Sequence, residues 1–346
     1  MLVIGSFLGN APLDRYVSGD LAGRLSDRGW RTWITSRKQN RLVRLADMLK
    51  TTWTKRGDYA VALVDVFSGP AFLWAEAVCW MLQRLGKPFV LTLHGGNLPT
   101  FSRRWPKRVG RLLASAVVVT TPSAYLLEQM QPYRSEMRLI PNPIDVANYE
   151  FHLRADPKPD LVWLRAFHET YNPSLAPRVL SELRTYFPAA HLTMIGPDKG
   201  DGSLARVRSA VDKWRLADAV SLAGPVHKTE IPTVLNRGDI FLNTTNFDNA
   251  PVSVVEAMAC GLCIVSTKVG GIPYLLLDGH DALLVPPNDP PAMVAAVRRI
   301  LTERGLAERL SRNARTKAEG FDWSIILPQW EQLLDEVAAK AEPQQR

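Results

Sequence analysis

Two carboxylates stand eight positions apart, Asp248 and Glu256, in the stretch DNAPVSVVEAMACG. The stretch lies between two strand-like runs, IFLNT and CIVST. Asp248 falls in a loop, and Glu256 falls inside a helix that starts around Pro251 to Ser253, among Val, Ala and Met. An ionised Glu without partners is costly to bury, so something polar must meet it. Pro and Ser suit the first turn of a helix. The free N–H groups of that turn, around Val252 and Ser253, and the positive end of the helix dipole favour phosphate oxygens, with Asn249 and Ala250 beside them as further donor-binding candidates. Gly261 suits a left-handed helix end. Acids for hydroxyls and amides for phosphates are what a sugar nucleotide asks of its site.

Other strand exits offer further groups. LVIGSF runs into a turn containing Gly9 and Asn10, which lets a ligand approach the backbone. It lacks the full glycine fingerprint of dinucleotide sites, so it argues little for NAD. PFVLTL ends in His94-Gly95-Gly96, which is either a cleft hydrogen-bonding group or a structural histidine. DLVWL ends in Arg165. Its fork and permanent charge suit a diphosphate, with a plain salt bridge as the competing reading. AHLTMIG delivers Gly196, and VSLAG delivers Gly224-Pro225-Val226, an edge for a flat base. Cys260 and Cys263 have metal-like spacing but no second pair of ligands, so helix-end packing is the better reading.

These exits belong to two series of apolar runs separated by helical stretches. LVIGSF, WRTWIT, AVALVDV, PFVLTLH, AVVVTT and MRLI occupy the first half, and DLVWL, AHLTMIG, VSLAG, IFLNT, CIVST and ALLVP the second. Continuous apolar runs alternating with helices indicate parallel sheets covered on both faces, hence doubly wound α/β units. At 346 residues the chain holds two such domains. The Pro- and Asp-rich PNPIDVANYEFHLRADPKPD is the linker candidate, and FDWSIILPQWEQLLDEVAAKA reads as a closing helix interrupted at Pro328. The expected domains are residues 1–145, 146–320 and a terminal helix, 321–346, packing back toward the first domain. Ligands of open α/β sheets sit beyond the carboxyl ends of the strands, so the two domains are expected to face across a cleft.

Residues 1–150 carry 20 Lys and Arg against 11 Asp and Glu, a charge of +9 within a total of +8. Arg37 to Arg56 and Arg103 to Arg111 supply most of it, as solvated helix faces or as a surface for phosphate or lipid headgroups. Phe101, Trp105 and the cations from Arg103 to Arg111 could form a helix that lies on an anionic membrane. No nucleic-acid motif accompanies the charge. No apolar run is long enough to span a bilayer, the N-terminus reads as a strand rather than a signal peptide, and three cysteines fit a reducing cytosol. The expected location is cytoplasmic, with peripheral contact at the inner membrane face.

Asp248 to Gly261, followed by Val269-Gly270-Gly271-Ile272-Pro273, resembles the signature of the retaining GT-B glycosyltransferases of family four. The likeness extends to Leu93-His94-Gly95, to Ile140-Pro141-Asn142-Pro143-Ile144-Asp145 and to Arg165. It implies a GT-B fold, with a nucleotide-sugar donor in the second half and an acceptor in the first. Glu256 would hold ribose hydroxyls and Asp248 donor-sugar hydroxyls. Amides around Val252 and Ser253 would cradle the diphosphate, Arg165 would stabilise its growing charge, and His94 would touch the transferred sugar. No metal and no cofactor is implied. The chain departs from the pattern in having Asp248 where Glu is usual. It also lacks the Lys that usually follows a few residues after the Arg, where His168 is the local cation if protonated; helix capping or a surface role is the other reading of His168. The resulting expectation is a retaining transferase acting on a saccharide or lipid-linked acceptor in polysaccharide or glycan synthesis. A catalytically impaired sugar-nucleotide-binding regulator and a GT-B epimerase are the alternatives.

Overall fold

All twelve apolar runs are strands in the computed structural model, which describes residues 1–7 and 17–339. The first six are β1 (Leu2–Ile4), β2 (Trp33–Thr35), β3 (Ala62–Val66), β4 (Phe89–Leu93), β5 (Val118–Thr121) and β6 (Arg138–Leu139). They form a parallel sheet in the order β2-β1-β3-β4-β5-β6. The second six are β7 (Asp160–Leu164), β8 (His191–Ile195), β9 (Val220–Gly224), β10 (Ile240–Asn243), β11 (Cys263–Thr267) and β12 (Leu283–Val285). Their parallel order is β12-β11-β10-β7-β8-β9.

Central strands such as β4, β10 and β11 are buried along their whole length, which is why they read as unbroken apolar runs. Within β7 the faces alternate. Leu161 and Trp163 join the core under the helices Leu175–Leu183 and Pro290–Thr302, while Val162 and Leu164 join the core beneath the helix Val252–Ala259. The first sheet has its own core around Val64, Phe72, Leu82, Leu91 and Val119.

The chain divides into two units, residues 1–143 with Ser324 onward, and Ile144–Trp323. Two expectations change here. The linker candidate crosses between the units at Pro143, and from Ile144 on it is a packed part of the second unit. Tyr149 is buried in it, and Arg154, 5% exposed, donates to Asp239 Oδ1 (3.2 Å), Gly238 O (3.0 Å) and Cys260 O (2.6 Å). A guanidinium is buried only when its donors are met, and these acceptors meet it. The closing helix is also not interrupted, running unbroken from Trp323 to Ala339 through Pro328. Pro328 points to solvent, whereas Ile326, Leu327, Trp330, Leu333 and Leu334 are buried. The packing of that apolar face outweighs one missing N–H, and the side chain of Gln329 donates to Ile325 O at 3.1 Å.

Candidate functional site

In a doubly wound sheet the ligand site is the point where strand order reverses. In the second sheet that point lies between β7 and β10. Arg165 leaves the end of β7, and Asp248 lies in the loop beyond β10. The two side chains form an ion pair, and the Arg165 guanidinium lies 4.6 Å from the centre of the Tyr171 ring. Burial pulls the Arg165 guanidinium below its ordinary value, against the favourable effect of Tyr171 and of the Glu256 charge. Its Nε is buried with no hydrogen-bond partner among the described residues, as is Ser253 Oγ.

The loop after β10 is pinned to the loop after β7. Thr244 donates to Tyr171 O (2.8 Å), Thr245 to Thr170 O (3.1 Å) and the side chain of Asn246 to Glu169 O (3.0 Å). This lacing fixes Asp248 beside Arg165. Gly271 completes the loop by donating to Asp248 O at 2.8 Å. A Cβ on Gly271 would collide with the carbonyl of Asn249, so the glycine is needed for close approach.

The helix carrying Glu256 runs from Val252 to Ala259, with Pro251 at its cap and Gly261 beyond it at φ 78°. Val252 and Ser253 open the first turn, whose N–H groups have no acceptor within the helix. Asn249 is buried, its amide bound to Asp248 Oδ1 at 2.8 Å, and Ala250 is half-buried. Glu256 is 7% exposed and accepts from the Tyr149 hydroxyl at 2.7 Å. Burial raises its carboxyl above the ordinary value, while the Tyr149 bond and the charges of Lys228 and Arg165 pull the other way. The polar group that Glu256 required is therefore Tyr149.

Gly196 follows β8, and its amide donates to Gly224 O at 2.8 Å. A Cβ there would strike the carbonyl of Arg165, which gives Gly196 a structural reason besides any ligand role. Val226 is half-buried against the core beneath the helix of Glu256. His168 caps the short turn Glu169–Tyr171 by accepting from Thr170 N at 3.2 Å, with Asp201 3.9 Å from its Nε2. Cys260 and Cys263 are buried free thiols, both pushed up to about 12 by burial.

His94 belongs to the first unit and leaves the end of β4. Its Nε2 lies 3.0 Å from Asp65 Oδ1, and its ring stacks on Phe67 at 5.1 Å. Ser18 Oγ lies 2.9 Å from both oxygens of Asp65. Gly9 lies outside the described residues. Tyr149, Lys228, Asp65 and Ser18 were not singled out from sequence. Asp65 left a trace there, as an acid inside the apolar run AVALVDV.

Residues 147–317 match the family described as Glycosyl transferases group 1, and residues 28–148 match Glycosyltransferase Family 4. These consecutive matches, with the fold, place the chain among the GT-B glycosyltransferases. The glycogen synthase of Mycobacterium tuberculosis is 26% identical over 278 residues, covering 76% of this chain and 66% of that protein. The D-inositol 3-phosphate glycosyltransferase of Mycobacteroides abscessus is 30% identical over 181 residues, covering 51% and 39%. The chain thus spans less than two thirds of the length of these curated relatives. Sucrose-phosphate synthase from Thermosynechococcus elongatus superposes with a TM-score of 0.82 at 17% identity, covering 98% of this chain and 99% of that one. HepE from Anabaena, solved with UDP-glucose, gives 0.76 at 17%, covering 97% and 99%.

Proposed function

We propose that the chain is a retaining, metal-independent glycosyltransferase that moves a sugar from a nucleotide donor to a saccharide or lipid-linked acceptor in glycan or polysaccharide synthesis. One observation carries this reading. At the switch point of the second sheet, a buried cation, two acids and a helix N-terminus converge, and Arg165 Nε and Ser253 Oγ are left without partners among the described residues. A diphosphate supplies acceptors to both donors and to the amides of Val252 and Ser253. It also competes with Asp248 for Arg165, and a displaced Asp248 is free to accept hydroxyls of the donor sugar. Glu256, held by Tyr149, accepts ribose hydroxyls, and Gly224 and Val226 border the base. Arg165 then stabilises charge on the leaving diphosphate. In the first unit, His94 is the proposed group for contact with the sugar.

Calorimetric titration of the full chain with UDP, GDP and ADP tests the donor site. One of the three should bind to the wild type and fail to bind to Glu256→Ala. Equal binding to both proteins would refute the site. Nucleoside diphosphate release that depends on acceptor separates a transferase from a binding regulator, which retains its nucleotide unchanged.

The acceptor-binding unit is also proposed to rest on anionic membrane. Exposed Trp53, Trp80 and Trp105 each lie beneath a cation: Arg56 at 4.5 Å, Arg84 at 5.3 Å and Arg104 at 5.8 Å from the ring centres. Leu42 and Leu73 are exposed on the helices of Trp53 and Trp80. Aromatic rings paired with cations suit the lipid headgroup boundary. No helix among the described residues is long and apolar enough to cross a membrane. Sedimentation with neutral and anionic vesicles at low salt decides the point, since equal binding to the two removes the proposal.

A further inference from the structure

In the first sheet strand order reverses between β1 and β3, and a cavity of about 330 Å³ opens there. Its walls are Ile4 at the end of β1, Val64 within β3, Met48 from the helix Arg41–Thr54, and Phe67, Trp74 and Ala75. The space exists because Ala71 and Ala75, one turn apart on the helix Pro70–Arg84, carry no side chain beyond Cβ. Protein cores leave few voids larger than a water, and this one has room for about eleven at ~30 Å³ each. It falls within the size range of ligand pockets, ~300–1,000 Å³.

Polar groups at its edge are already engaged. Ser6 Oγ accepts from Arg44 at 2.8 Å, and Asp65 accepts from Ser18 at 2.9 Å and lies 3.0 Å from His94. Water needs two to four polar partners to settle, and the remaining walls among the described residues are Gly5 and aliphatic or aromatic side chains. Phe67 serves both sides, lining the cavity and stacking on His94. A group seated in the cavity therefore holds whatever is attached to it beside the Asp65–His94 pair.

We propose that this cavity seats the apolar part of the acceptor, an alkyl chain or an aromatic ring joined to its hydroxyl-bearing head. The proposal rests on the glycosyltransferase reading for its head group and names the acceptor's chemistry. The full chain is titrated with methyl, butyl, octyl and phenyl β-D-glucosides, in the presence of the nucleoside diphosphate that binds among UDP, GDP and ADP. Affinity should rise about 4-fold for each of the first few methylenes buried. Octyl glucoside should then bind at least ~100-fold tighter than methyl glucoside by the same increment. Phenyl glucoside matching octyl points to an aromatic aglycone, and octyl alone to a lipid chain.

Ala75→Leu should shorten the longest chain that still gains affinity, and Ala75→Trp should abolish the gain, with far-ultraviolet dichroism unchanged and a cooperative unfolding transition retained. The graded response separates filling of the cavity from misfolding. Equal affinity for methyl and octyl glucoside in the wild type overturns the proposal. So does an octyl advantage that survives Ala75→Trp in a folded protein. Failure of all three nucleotides to bind would instead strike the transferase reading, because they report on the second unit and the glucosides on the first.

Discussion

Replacing Tyr149 with Phe removes a single oxygen, the donor to Glu256 Oε1 at 2.7 Å, from a site where Glu256 is 7% and Tyr149 4% exposed. Wherever Glu256 is ionised the acceptor is a buried carboxylate, and a hydrogen bond to a charged group is worth about 1.5–3 kcal/mol. Burial raises the Glu256 carboxyl above its ordinary value, and the Tyr149 bond opposes that rise. A raised acid binds its proton more tightly in the native state than in the unfolded chain. Its favourable contribution is thus complete below the unfolded value of about 4.3 and fades as pH climbs through the native value. Tyr149→Phe raises the native value further, so the variant loses most where Glu256 is ionised. At pH 4, where Glu256 is mainly protonated, only a neutral hydrogen bond is lost, about 0.5–1.5 kcal/mol. Urea unfolding of both proteins at pH 4 and pH 9 should show the larger deficit at the higher pH, where more of Glu256 is ionised, and nucleoside diphosphate affinity should fall with it. A deficit of equal size at both pH values, or none at either, would refute this account of Glu256.

Arg165→Ala should lower turnover by about 10²–10³, the usual loss of one electrostatic donor. Arg165→Lys should recover little of it, since an ammonium lacks the guanidinium fork; steady-state rates with saturating donor decide this. Gly271→Ala should weaken donor binding and stability together, because its methyl would meet the Asn249 carbonyl; calorimetry and thermal unfolding read the two effects. Cys260 and Cys263, pushed up to about 12 by burial, should resist a thiol reagent at pH 8 in the native state and react on unfolding. Rapid labelling of either thiol in native protein would contradict their burial.

The fold was legible because buried parallel strands need apolar residues on both faces. Runs such as PFVLTLH and CIVST show this without reference to distant partners. Arg165, Asp248 and Glu256 were legible as polar residues just outside or within such runs. Tyr149 was not, because its partner lies 107 residues away and its own surroundings, rich in Pro and Asp, look like a tether. Arg154 was hidden for the same reason, since most of its acceptors are backbone carbonyls that no residue type announces. Pro328 misled because a proline marks the loss of one hydrogen bond and says nothing of the packing that outweighs it. Gly196 was read as a ligand-facing strand exit and Gly271 as part of the motif carrying the family resemblance, and each is also demanded by a neighbouring carbonyl.

The helix Trp323–Ala339 finishes the unit that the chain began. Glu336 pairs with Arg138, and Trp330 lies beside Ile140, Ser18 and His94. During synthesis the contacts of β1 to β6 with this helix must therefore wait while Ile144–Trp323 is translated, on the order of 10–40 s at ordinary ribosome speeds. The second unit, contiguous in the chain, can mature first, and the earlier-made half is sealed only as the last turns emerge. Truncation at the carboxyl end should therefore damage the amino-terminal half.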